Sequence, residues 1–305
     1  LVVSRIRCWR VAVLAAGLGL AVPAGAAAPA YRSVIDQTGR KVRLPLVIRR
    51  IVTLAPSLTE MVYFLGQGGK LVGATQFSTY PASARKVPRV GSYIRINFEA
   101  VAMLRPDLVL GLSEINPAFI LDKLTRMGLP LYRSRLRTVA DILACLRRLG
   151  ELIGAGPEAQ RQVDSLAARV RRVRRAVAGK RRIRVFVEID HRPLVTVGPG
   201  TFTDRLIRLA GGRNVFGRER FAYPRLSVEQ VILAQPEVIV ILCHQRTGCQ
   251  GRVKAWQRWR SIPAVREGRV KMVDTDILAR PSQRLIDGLE VLARVLHPHA
   301  LEGRP

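Results

Sequence analysis

Asn97-Phe98-Glu99-Ala100-Val101 leads to Leu104-Arg105-Pro106-Asp107-Leu108-Val109-Leu110, and Ser227-Val228-Glu229-Gln230-Val231 leads to Ala234-Gln235-Pro236-Glu237-Val238-Ile239-Val240. The two glutamates lie 130 positions apart, and so do the two prolines. Each copy reads as a helix cap, a glutamate in the first turn, a short amphipathic helix, a proline break and an apolar strand. Two copies in one chain predict two similar lobes, each displaying an acidic residue near a helix start. Such a molecule has a cleft between its lobes and a matched pair of carboxylates outside it.

Working outward, short apolar strands alternate with helical patterns on both sides of each copy. Strands are expected at 51–54, 71–75, 108–110 and 129–132, then at 183–189, 238–242 and 270–273. Helices are expected at 59–65, 118–127, 139–153, 202–209, 252–260 and 283–296. This alternation predicts an α/β fold with parallel sheets covered by helices on both faces. Between the halves, 158–177 reads as one long polar helix. Val163, Leu166, Val170, Val173 and Val177 make a narrow apolar stripe, and Arg161, Arg171, Arg172, Arg174 and Arg175 lie off it. That pattern suits a helix lying across the outside of two lobes. The expected organisation is a leader at 1–28, a hairpin at 31–50 around Asp36-Gln37-Thr38-Gly39-Arg40, and a first lobe at 51–155. A linking helix at 156–180, a second lobe at 181–298 and a tail at 299–305 follow.

The leader assignment rests on Arg5, Arg7 and Arg10, an apolar run over 11–22, and the small residues Ala24-Gly25-Ala26. This is the layout of a cleavable signal peptide, and the run is shorter than the roughly 20 apolar residues of a spanning helix. A soluble periplasmic protein is expected. A membrane-anchored sensor would need a spanning helix, and the residues after the leader contain no such run.

The 305 residues are 48% apolar, enough for two cores, and carry a formal charge of +29. Arginine supplies 44 of the 51 basic residues. They are spread along the chain, with one dense run at 171–182, and no aromatic-interleaved basic motif accompanies them. The excess therefore reads as solvated surface and attraction to anionic ligands or membranes, and no nucleic-acid partner is expected. Cys243 and Cys249 flank a short loop, where a local disulfide is expected in an oxidising compartment. A metal site using both with His244 is the alternative, but it lacks an evident fourth ligand. Cys145 falls on an apolar helix face and reads as a buried thiol.

Arg50-Ile51-Val52-Thr53-Leu54-Ala55-Pro56-Ser57-Leu58-Thr59-Glu60, Tyr80-Pro81, Val87-Pro88-Arg89-Val90-Gly91 and Gly211-Gly212-Arg213-Asn214-Val215-Phe216 come in order with the two half-repeats. Together they resemble the periplasmic cobalamin- and siderophore-binding proteins of ABC importers, over essentially 31–296. The resemblance implies two Rossmann-like lobes with parallel sheets, linked by a single long α-helix and moving only modestly on binding. It implies that Glu99 and Glu229 dock onto arginines of an inner-membrane permease. It implies that Pro56, Ser57, Phe77, Tyr80, Tyr93, Tyr223, Asp276 and Arg280 line an interlobe cleft. Tyr93 and Tyr223 match positions that some cobalamin binders fill with tryptophan.

The expected ligand is a cobalamin-type corrinoid, transported rather than held as a cofactor, by a monomeric protein. A ferric siderophore or haem is the alternative, since many arginines suit an anionic chelate, and His244 would then stand near a bound metal centre. An exported metal-dependent enzyme is the third reading. The only four histidines are His191, His244, His297 and His299. There is no helical histidine pair, nucleophile elbow or phosphate loop, so no catalytic or metal-binding residue is expected.

Overall fold

The computed structural model describes residues 30–244 and 249–301. The expected leader, the interior of the cysteine loop at 245–248 and the last four residues lie outside them. The described chain opens with β1 (Tyr31–Ile35) and β2 (Lys41–Pro45), an antiparallel hairpin. The first lobe follows as β3 (Ile51–Thr53), α1 (Pro56–Phe64), β4 (Leu71–Ala74), β5 (Gly91–Ser92), β6 (Arg95–Ile96), α2 (Phe98–Met103), β7 (Leu108–Leu112), α3 (Ala118–Arg126), β8 (Leu131–Ser134) and α4 (Val139–Ile153). Its sheet has the order β4-β3-β7-β8, and every pairing is parallel.

After α5 (Gly156–Val177) come β9 (Ile183–His191), β10 (Leu194–Thr196), α6 (Phe202–Leu209), β11 (Gly212–Asn214), α7 (Val228–Ala234), β12 (Val238–Cys243), α8 (Gln250–Gln257), α9 (Pro263–Arg266), β13 (Val270–Asp274), α10 (Thr275–Ala279) and α11 (Leu285–Leu296). Here β9, β12, β13 and β11 are parallel, and β10 pairs antiparallel to β9. The chain is therefore two α/β lobes joined by one long helix. No helix among the described residues is long and apolar enough to cross a membrane.

Strand alternation decides which core each side chain joins. Ile51, Leu108, Leu110 and Leu112 point to one face of the first sheet, while Val52, Val109 and Leu131 point to the other. In the second sheet Val238, Val240 and Leu242 separate in the same way from Ile239, Ile241 and Cys243. The inner faces of both sheets share one continuous apolar cluster with α4, α5 and α11. The outer faces close separately, under α2 and α3 in the first lobe and around Trp256 of α8 in the second.

The linker follows from local chemistry. Thr138 and Asp141 form a reciprocal capping box that starts α4, and Gly154, with φ of +77°, ends it in the left-handed conformation. Pro157 sits in the first turn of α5, where a missing N–H costs nothing. Val163, Leu166 and Val173 are buried against α4 and α11, and the charge run at 171–175 is the outer face. Arg169 clamps the linker to the second lobe through both carboxylate oxygens of Glu290, at 3.0 and 2.9 Å, and through Asp287 at 2.6 Å. Arg172 adds a third donor to Glu290 at 2.8 Å.

The Arg169 guanidinium holds the Glu290 carboxyl below its ordinary range, against the opposing effect of burial. A depressed folded-state value stabilises the fold above the unfolded value, and that stabilisation is lost as pH falls through the folded one. We expect Glu290→Gln to lose about 1–3 kcal/mol at pH 7. Its gap from the unsubstituted protein should close in strong acid. Denaturant melts at pH 7 and pH 3 check this, and an equal gap at both would remove Glu290 from the acid response.

Several expected boundaries shift for identifiable reasons. α1 begins at Pro56, not 59, because proline suits the first helical position. β8 begins after Pro130, which has no N–H to donate to the ladder. Gly211-Gly212, read as a helix stop, also starts β11, and β10 is an unanticipated strand. Cys145 is buried, and burial pushes its thiol up to about 12, so it stays protonated.

Candidate functional site

Open α/β sheets place ligands beyond the C-terminal ends of their parallel strands, and the segments that follow β3 and β13 meet there. Contacts some 220 residues apart in sequence mark the junction. Glu60 of α1, 1% exposed, accepts from Arg280 Nη1 at 2.7 Å and from the Ser282 hydroxyl at 2.7 Å. Arg284 lies 3.6 Å from the same carboxylate, and its guanidinium covers the Tyr80 ring at 4.1 Å from the centroid. Asp276 pairs with Arg280 at 3.0 Å and with Arg284 at 3.7 Å, and Asp274 lies 3.7 Å from Arg284. Three carboxylates thus meet two guanidiniums at the floor between the lobes.

The expected wall of the first lobe is aromatic. Phe77 and Tyr93 pack with ring centroids 5.5 Å apart, yet Phe77 remains 46% exposed and Tyr80 45%. Their loop is anchored from behind by hydroxyls. The Thr59 hydroxyl donates to Ser78 at 2.8 Å and lies 2.7 Å from that of Thr53, and Thr75 lies 3.1 Å from Ser78. Arg89 donates to the carbonyls of Thr75 and Ser78 at 2.9 and 3.1 Å. Asn116, buried, donates to the carbonyls of Leu54 and Tyr93 and accepts from the Leu112 N–H, tying β3, β7 and the Tyr93 loop together. Such backing lets exposed rings hold position without a ligand.

In the second lobe Tyr223 is 62% exposed and Phe221 63%. Tyr223 borders a cavity of about 230 Å³ with Ile189, Val197, Phe202 and Ala279. Gly198 lets this loop approach: its N–H donates to the Ala222 carbonyl at 2.8 Å, and a Cβ there would lie 2.0 Å from the Phe221 carbonyl oxygen.

Tyr93 and Tyr223 are themselves 130 positions apart, so each half-repeat carries a tyrosine six residues before its glutamate. Glu99 and Glu229 are exposed on α2 and α7 and make no ion pair among the described residues. The Ser227 hydroxyl holds the Glu229 carboxyl below its usual range. Asn97 and Ser227 cap their helices through side-chain oxygens, as the repeat led one to expect.

Not every expected wall residue stands open. Pro56 and Ser57 begin α1 and are buried, and the Ser57 hydroxyl has no hydrogen-bond partner. Asp276 and Arg280 are brought together with Glu60 rather than left as separate polar groups. Glu60, Arg284, Asn116 and Phe221 were not anticipated. One signal for Glu60 was available: it is the single charged residue in α1. Cys243 and Cys249 form a disulfide, which removes the thiolate metal site from consideration. His244 is exposed, 3.9 Å from Asp276. Among the described residues, no cluster of three or more histidine, cysteine or acidic side chains is placed to hold a metal ion.

The periplasmic binding protein family model matches residues 51–277. A vitamin B12-binding protein of Vibrio cholerae is 32% identical over 254 residues, covering 83% of this chain and 90% of that one. The crystal structure of the periplasmic vitamin B12 binding protein of Vibrio cholerae aligns with a TM-score of 0.76 at 30% identity, over 85% of this chain and all of the other. A periplasmic haem-binding protein from Pseudomonas aeruginosa aligns with a TM-score of 0.72 at 27% identity, over 83% of this chain and 94% of the other.

Proposed function

This chain belongs to the periplasmic binding protein family, and from that premise we propose that it captures a cobalamin-type corrinoid between its lobes and delivers it to an inner-membrane ABC importer. In this reading 51–155 and 181–298 are the gripping lobes and 156–180 is their link. Phe77, Tyr80, Tyr93 and Tyr223 cover the flat faces and rim of the ligand. Pro56 and Ser57, buried at the start of α1, back this surface without reaching it, and Asp276 with Arg280 orients the ligand from the floor.

The observation that carries the choice of ligand is the pairing of the floor arginines. Arg280 and Arg284 are already opposed by Glu60, Asp274 and Asp276, so these cations are not free for a strongly anionic chelate. Phe77, Tyr80, Phe221 and Tyr223 remain exposed, a surface that suits a large, flat ligand of low charge. The similarity to vitamin B12-binding relatives supports the same choice. Haem is the second reading, favoured by the structural likeness to a haem-binding protein and by the same flat surfaces. Its two carboxylates would have to compete for the paired arginines.

Calorimetric titration of the protein with cyanocobalamin, a ferric hydroxamate siderophore and haemin tests this. Saturable one-to-one binding of cyanocobalamin alone is the expected result. Binding of haemin or the siderophore without cyanocobalamin would overturn the ligand assignment.

A further inference from the structure

The two glutamate helices share a second feature. Four residues after Glu99 stands Met103, and four after Glu229 stands Leu233. Each is 82% exposed, more than any other large apolar side chain among the described residues. Residues four apart share a helix face, so each apolar side chain stands beside its carboxylate. Between them, Val101 and Val231 are fully buried and fix that face outward. Each helix then turns at a residue in the left-handed region, Arg105 with φ of 41° and Gln235 with φ of 47°. These are the only non-glycine residues with positive φ among those described. A strained turn repeated at both copies stops each helix just beyond its exposed apolar side chain.

A lone exposed methionine needs no explanation. Two apolar side chains at equivalent places, equally bare and each beside an unpaired carboxylate, form one surface in duplicate. We propose that Met103 and Leu233 are the apolar anchors by which the protein seats on its permease, each entering a socket next to the cation that receives the neighbouring glutamate. This rests on the importer role proposed above. The internal duplication matches a partner with two equivalent halves. A lipid surface offers no pair of equivalent sockets for such a duplicate to match. In this arrangement the glutamates guide approach and the anchors slow release, since charge acts mainly on association and buried apolar contact mainly on dissociation.

The test uses right-side-out membrane vesicles from the host bacterium and fluorescent protein loaded with cyanocobalamin. Met103→Ser and Leu233→Ser should each weaken vesicle binding about tenfold, as expected when one large apolar side chain is withdrawn from a buried socket. The loss should appear in the dissociation rate and persist at high salt, and Met103→Leu should restore binding. Because both positions are exposed, the thermal midpoint and the cyanocobalamin titration should not change. Unchanged dissociation of both serine variants, with binding weakened by Glu99→Ala and Glu229→Ala, would overturn the anchors and leave the docking glutamates standing. No effect from either set would overturn the docking surface as a whole.

Discussion

Uptake driven by a Glu99→Ala, Glu229→Ala double variant is expected to fall at least about 100-fold, while its affinity for cyanocobalamin stays where it was. Desolvated charge pairs at interfaces couple by about 1.5–7 kcal/mol each, so losing two reaches that factor even at the low end. Both carboxylates are exposed, neither is held by a cation, and they stand on separate lobes. Removing them therefore costs the fold little and leaves the cleft intact. Each single variant should show a partial loss, because one lobe remains able to dock. Transport of labelled cyanocobalamin into cells lacking the native gene measures this directly. Uptake at the unsubstituted rate would remove the carboxylates from the docking surface.

A comparable loss, in stability instead of transport, is expected from Glu60→Ala. That substitution leaves Arg280 and Arg284, both largely buried, without their shared carboxylate. Breaking a buried pair from one side typically costs about 3–5 kcal/mol, and partial access of water to the two guanidiniums points to the lower end. Urea unfolding of the ligand-free protein measures it. A Glu60→Met, Arg280→Met double variant should recover much of the loss, because the Arg280 charge is removed along with that of Glu60 and Arg284 keeps Asp274 and Asp276 as partners. An unchanged unfolding free energy in Glu60→Ala would show that the cluster does not hold the lobes. The same variant frees cationic charge at the cleft floor, so its affinity for an anionic ferric chelate should rise.

The elements that could be read from sequence are those whose causes are local. α4 was expected at 139–153 and lies there, because its capping box and its terminating glycine are both within one residue of its ends. The linker's apolar stripe and the duplicated glutamates were legible for the same reason, being patterns of short period or strict repetition. β10 and β11 escaped because each is three residues long and takes its order from β9. The floor cluster escaped because Glu60 and Arg280 are 220 positions apart, and no local pattern announces such a pair. The matched tyrosines are a different case. Their spacing equals that of the glutamates, and reading the repeat six residues further upstream would have found them.

The single passage of α5 between the lobes also orders events in time. Every strand of the first sheet lies between residues 51 and 134, and every strand of the second between 183 and 274. No sheet waits for a partner from the other half, so each closes only loops of fewer than about 100 residues, at modest entropic cost. A chain delivered amino end first can finish its first half before the second has arrived. The bond between Glu60 and Arg280 must then be among the last to form, joining two halves that have already folded.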